Sequence, residues 1–151
     1  MSAVRTDKAP APKGPYSQGR RCGGLLFVAG QGPFDSKGNM IGTTIADQTR
    51  ATLENVKAIV EAGGATMADV ARVNVYLTDL AHFAAMNEVY ASFFAEPYPA
   101  RTTVQVGLLG FLVEIDAVAE LTTSLAGAAA SRRGTPEGVE HPEGWDFPGS
   151  R

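Results

Sequence analysis

Along residues 113–119 every second side chain is apolar: Val113, Ile115, Ala117 and Ala119, with Glu114 and Asp116 between them. A period of two belongs to an extended strand with one buried face. The pattern recurs in residues 70–77, where Val73, Val75 and Leu77 alternate with Arg72, Asn74 and Tyr76. A half-apolar strand has no stability alone and needs partners on both edges or a layer over its buried face. The chain is therefore committed to a sheet with one covered side.

The remaining segments fit such a sheet. Leu25 to Ala29 reads as a buried strand, joined to a short strand before it through the Gly23-Gly24 turn. A helix is expected from Thr44, whose hydroxyl can cap it, with Asp47 in the first turn. Thr49, Leu53, Val56 and Val60 form its inner stripe, and Gly63-Gly64 ends it. Asp79 caps a second helix, with Phe83, Met86, Tyr90 and Phe93 or Phe94 on its buried side. Pro97-Tyr98-Pro99 forbids its continuation. Arg101 to Val106 is a further strand, placing Arg101, Thr103 and Gln105 on one face. The linker Gly107-Leu108-Leu109-Gly110-Phe111 is expected to close an antiparallel pair between this strand and residues 112–121. Strands interspersed with two helices imply an α/β domain with one sheet and its helices on one face. The other face needs a cover, and self-association supplies one.

A chain of 151 residues suits a single domain. Its expected divisions are an extended N-terminal arm over 1–13, a domain over 14–126, and a flexible or docked tail over 127–151, where Trp145 and Phe147 leave docking open. The net charge of -3 and pI near 5.3 argue against a nucleic-acid module with a basic face. Cys22 is the single cysteine, so an intrachain disulfide is excluded. The N-terminus has no secretory apolar core, and no stretch approaches the roughly 20 apolar residues of a membrane span. These features are those of a cytoplasmic protein.

Metal, nucleotide and triad chemistry lack their signatures: the sequence has no CxxC, no HExxH, no P-loop and no GxGxxG. No metal and no cofactor are expected. A turn near 108–109 would set Thr103 opposite Glu114 and Arg101 opposite Asp116, with Arg101 diagonal to Glu114. A guanidinium holds a carboxylate with two charge-assisted bonds, and a glutamate can orient or deprotonate water. Together they suit attack of water on a small carboxylate-bearing electrophile. The same residues also fit a plain surface ion pair worth about 0–1 kcal/mol. Cys22 and His82 read as bystanders, since no nucleophile–base pairing involves them.

Several motifs in order resemble one family. They are Gly14-Pro15-Tyr16-Ser17-Gln18, Phe27-Val28-Ala29-Gly30-Gln31, Gln48-Thr49-Arg50 with Leu53-Glu54-Asn55-Val56, Val73 to Asp79, Asn87-Glu88-Val89-Tyr90, Pro99-Ala100-Arg101 and Val113 to Ala117. Over about residues 9–121 the chain resembles the reactive-intermediate deaminases (RidA/YjgF, also called the L-PSP endoribonuclease family). The resemblance implies a chorismate-mutase-like domain: a mixed six-stranded sheet with two helices on one face. It also implies a homotrimer with its sites in clefts between subunits.

By the same resemblance Arg101 holds the substrate carboxylate, Glu114 positions the hydrolytic water, and Tyr16 closes the cleft. Gly30, Asn87 and Thr103 bind substrate. Active deaminases of the family often carry Ser in place of Ala29 and Cys in place of Thr103. The implied activity is cofactor-free hydrolysis of 2-imino acids, such as 2-iminopropanoate or 2-iminobutanoate, to 2-keto acids and ammonia. The alternatives are cleavage of single-stranded RNA, an aminomuconate-type deamination, and a non-catalytic trimer that binds small carboxylates.

Overall fold

Eight main elements run along the chain in a computed structural model that describes residues 2–122. The tail expected over 127–151, with Trp145 and Phe147, lies outside the described residues, as does the end of the domain expected at 126. The strands are β1 (Ser2–Val4), β2 (Gly19–Cys22), β3 (Leu25–Gln31), β4 (Val70–Leu77), β5 (Ala100–Gln105) and β6 (Val113–Glu120). The helices are α1 (Ile45–Ala62) and α2 (Phe83–Ala91). The strands form one six-stranded mixed sheet in the order β1-β2-β3-β6-β4-β5. Both helices cover the same face, and the fold class is the one the sequence implied.

Local chemistry sets the element boundaries. Thr44 accepts a hydrogen bond from the Asp47 N–H at 3.2 Å and starts α1. Leu53, Val56, Ile59 and Val60 on its inner stripe are fully buried. Each such side chain contributes about 1.5–3 kcal/mol through lost contact with water. They pack against Leu26 of β3, Val73 and Val75 of β4, and Ile115 of β6 within one core. Asp79 caps the short turn before α2, accepting from the Ala81 N–H at 2.8 Å. Met86, Tyr90 and Phe94 are buried as expected. Phe83, the first residue of α2, is instead 41% exposed.

The last strand pair departs from expectation. β5 and β6 do not form a hairpin: β4 lies between them, parallel to β5 and antiparallel to β6. The apolar β4 is worth more in the middle of the sheet, where both its edges find partners and its inner face is covered. The segment between β5 and β6 spans the end of β4. It is held there by Val106 N–H to the Leu77 carbonyl (2.8 Å) and Thr78 N–H to the Leu112 carbonyl (3.1 Å). Arg101 therefore pairs with Val73 and Thr103 with Val75, while Glu114 pairs with Tyr76 and Asp116 with Asn74. The expected pairings of Thr103 with Glu114 and of Arg101 with Asp116 do not occur.

The segment before β2 contributes β1 to the sheet edge, and it is tied down by one buried side chain. The Gln18 amide donates to the carbonyls of Thr6, Ala9 and Pro10, and its oxygen accepts from the Thr6 N–H. Two polar residues of α1 perform the same service elsewhere. Asn55 donates to the carbonyls of Gly32 (3.0 Å) and Phe34 (2.7 Å), and Gln48 receives the Leu112 N–H at 2.8 Å. Loops 32–42 and 106–112 are thus fixed to the helix face. Among the described residues no helix is long and apolar enough to cross a membrane.

Candidate active site

Glu114 lies on the sheet face away from the helices and lines a cavity of about 410 Å³. Tyr16, Gly30, Gly32, Phe34, Leu109, Phe111 and Lys13 line the same cavity. Gly30 leaves room for the glutamate: a Cβ at residue 30 would stand 2.9 Å from Oε2. Gly32 does the same for the aromatic wall, since a Cβ there would stand 2.7 Å from the Phe34 ring. Phe34 and Phe111 meet edge to face at 5.2 Å. Tyr16 is 53% exposed and is held in its turn by its N–H on the Gly14 carbonyl (2.8 Å). Its hydroxyl accepts the Lys13 N–H at 3.3 Å.

The carboxyl of Glu114 takes no hydrogen bond from the described residues. Burial raises its pKa above the ordinary glutamate value, and the neighbouring charge of Asp116 raises it further. Asp116 itself is well supplied, with donors from Asn74 Nδ2 and the Tyr76 hydroxyl, both at 2.8 Å. The bond to Asp116 in turn pushes the Tyr76 pKa up. One carboxylate is therefore pinned and the other is left open, which is the arrangement a water-handling base requires.

Arg101 stands on the other side of the sheet. Its guanidinium lies 4.6 Å from the centre of the Tyr90 ring and 5.5 Å from that of Phe83, both on α2. Its Nη1 donates to Asn87 Oδ1 at 2.7 Å. Asn87 and Tyr90 are three residues apart on α2, so one face of the helix presents both to the arginine. A second cavity of about 450 Å³ is lined by Asn87, Tyr90, Tyr98, Pro99 and Arg101. Thr103 follows Arg101 on the same face of β5, and its hydroxyl is buried without a partner. The Tyr90 hydroxyl shares that condition, and burial raises its pKa while the nearby arginine charge opposes the shift.

The sequence-derived residues thus fall into two groups. Tyr16, Gly30 and Glu114 come together, as do Arg101, Asn87 and Thr103. The expectation that one face of a single chain gathers Arg101, Thr103, Glu114 and Asp116 is corrected. Arg101 registers with the inward-pointing Val73, and Glu114 with the outward-pointing Tyr76. Sequence reasoning placed Tyr90 only in the core and gave Lys13, Phe34 and Phe111 no role. The Asn-x-x-Tyr spacing was the available signal for Tyr90. Among the described residues no cluster of His, Cys, Asp or Glu is arranged to hold a metal ion.

The family model described as Endoribonuclease L-PSP matches residues 6–121. The chain belongs to the endoribonuclease L-PSP family. Its match contains both groups of site residues. A RutC family protein of Pyrococcus horikoshii is 52% identical over 119 residues, covering 77% of this chain and 94% of the relative. TdcF of Escherichia coli, provisionally named a reactive intermediate deaminase, is 43% identical over 121 residues, covering 77% of this chain and 94% of TdcF. A crystal structure of E. coli TdcF with bound serine superposes with a TM-score of 0.76 at 41% identity, covering 81% of this chain and all (100%) of that one. RidA from a Psychrobacter species gives a TM-score of 0.76 at 40% identity, with 80% and 100% covered. The L-PSP fold, in the form shared by RidA and YjgF, is therefore that of this chain.

Proposed function

We propose that the protein hydrolyses imines of small 2-amino acids to 2-keto acids and ammonia, in a cleft completed by two copies of the chain. One copy supplies Arg101, Asn87 and Thr103; the other supplies Tyr16, Gly30 and Glu114. The observation that carries this reading is the placement of Arg101 and Glu114 on opposite faces of one sheet. Neither group alone holds both the guanidinium and the base. A second copy laid against the open face also covers Leu25 and Phe27, which are 40% and 44% exposed. A homotrimer closes such a head-to-tail arrangement. The serine bound to TdcF is a small amino-acid carboxylate, as the proposed substrate is.

Arg101 fixes the substrate carboxylate, with Asn87 and the Tyr90 ring holding the guanidinium. The Thr103 hydroxyl donates a further bond to the carboxylate. Glu114 takes a proton from water as its oxygen adds to the imine carbon, and returns it to the nitrogen to give the carbinolamine. The hydroxyl proton then passes through Glu114 to the amine, the carbon–nitrogen bond breaks, ammonia leaves and the carbonyl forms. Orientation and the fixed charge supply the rate.

The test generates the imine with an amino-acid oxidase in the presence of catalase and traps it with semicarbazide. The wild-type protein should lower semicarbazone formation. Arg101→Ala should cut that effect at least about a hundredfold, the loss of two charge-assisted bonds. Full activity in a correctly assembled Arg101→Ala protein would sink the proposal.

A further inference from the structure

The cavity that holds Glu114 also has a cation in its lining, Lys13. The Lys13 ammonium lies 5.7 Å from the centre of the Phe34 ring. It also rests against Gly38, where a Cβ would stand 3.4 Å from Nζ. Among the described residues it meets no carboxylate. The acid in that loop, Asp35, is already committed: it accepts the N–H groups of Lys37 (2.9 Å) and Asn39 (2.8 Å) and the Asn39 side-chain amide (3.3 Å). Phe34, Phe111 and Leu109 share the lining of that cavity with Lys13 and Glu114. Leu109 is 96% exposed, an apolar side chain at the rim.

A cavity with apolar walls and one cation in its lining reads a substrate side chain of matching form. Methylenes pack on the phenylalanines, and a terminal anion meets the ammonium. Lys13 is exposed, so the discrimination is carried by what is gained: a terminal carboxylate takes a charge-assisted bond from the ammonium, and a neutral terminus takes none.

We propose that Lys13 is a second anion anchor, and that the favoured substrates are imines of amino dicarboxylic acids. This rests on the reading above, in which Arg101 of another copy holds the carboxylate beside the imine. Lys13 then holds the side-chain carboxylate. The chemistry is unchanged: water adds to the imine carbon, ammonia leaves, and a 2-oxo dicarboxylate is released without oxidation or reduction.

The experiment compares two imines of equal chain length, formed by oxidases from glutamate and from norvaline. One ends in a carboxylate and the other in a methyl group. The wild-type protein should favour the glutamate imine in kcat/KM by about tenfold or more, the effect of one charge-assisted bond. Lys13→Met keeps the stem and removes the charge. It should abolish that preference, mainly through KM, and Lys13→Arg should restore part of it. Equal kcat/KM for both imines, or a preference that survives in Lys13→Met, overturns the proposal while leaving deamination standing. If neither imine is turned over, the deaminase reading fails and takes this one with it. Calorimetry with 2-oxoglutarate and 2-oxopentanoate tests the anchor separately from catalysis. The dicarboxylate should bind about tenfold tighter to wild type, and equal binding again counts against Lys13.

Discussion

The Glu114 carboxylate rests directly on the backbone of Gly30, so closely that a Cβ on residue 30 would stand 2.9 Å from Oε2 and 3.0 Å from the carboxyl carbon. The glycine is required by this approach. Gly30→Ala should therefore push the carboxylate aside while disturbing the fold little, since the far end of a flexible side chain can yield. A displacement of about 1 Å in a reacting group can cost about a hundredfold in rate. The expected result is a 10- to 100-fold loss in kcat/KM with melting temperature nearly unchanged. Wild-type kinetics in Gly30→Ala would show that Glu114 does not need its observed position.

Glu114 should set the acid limb of the pH–rate profile, with burial first and Asp116 second in placing it. Glu114 must be ionised to act as a base, and burial together with Asp116 holds its pKa above the ordinary range. Activity then falls as pH drops through that raised value. Asp116→Asn removes the like charge, so the limb should move to lower pH. The folded protein also holds the Glu114 proton more tightly than the unfolded chain does. That contribution is fully present below the unfolded pKa and is lost as pH rises through the folded one. Asp116→Asn should shrink this loss. A limb that stays in place would show that the Asp116 charge does not act on the group that titrates.

Tyr90 offers a separation of ring from hydroxyl. The ring carries Arg101 at 4.6 Å, while the hydroxyl is buried with no partner. Tyr90→Phe keeps the ring and removes an unsatisfied group, so stability should hold or rise by up to about 1 kcal/mol and activity should persist. Tyr90→Leu removes the cation–π support and should raise KM for the carboxylate substrate about tenfold. Thermal unfolding and steady-state kinetics of the pair decide it. Equal KM values for the two variants would remove Tyr90 from the site.

Most of the fold could be read from periodicity, because each element carries its own local signal. Thr44, Gly63 and Asp79 mark boundaries through backbone bonds within a few residues. The alternation in β4 and β6 reports which side chains are buried. Strand order carries no such signal. The short linker at 107–111 looks the same whether it turns a hairpin or passes over the end of β4. The choice is made by how much burial β4 gains at the centre of the sheet. That single ambiguity moved Arg101 to the opposite face from Glu114. The buried glutamine and asparagine of α1 were visible only as motif letters, and their work in fixing loops 32–42 and 106–112 depends on contacts 21 to 64 positions apart. Lys13 was hidden for a related reason: a lysine in a Pro-rich segment has no pattern to declare which cavity it faces.

If the site is shared between copies, two inactive variants should rescue each other. Arg101→Ala lacks the carboxylate anchor and Glu114→Gln lacks the base. Co-expressed at equal amounts, they should assemble at random into mixed oligomers. In a head-to-tail ring each site takes its arginine from one copy and its glutamate from the next. About a quarter of the sites then receive both intact groups, and activity should recover to about that fraction of wild type. Mixing the purified variants without subunit exchange should restore nothing. A site contained within one chain predicts a different result, since every chain carries one lesion and no combination repairs it. Absence of recovery in oligomers shown to be mixed would therefore reject the shared cleft, whatever the substrate.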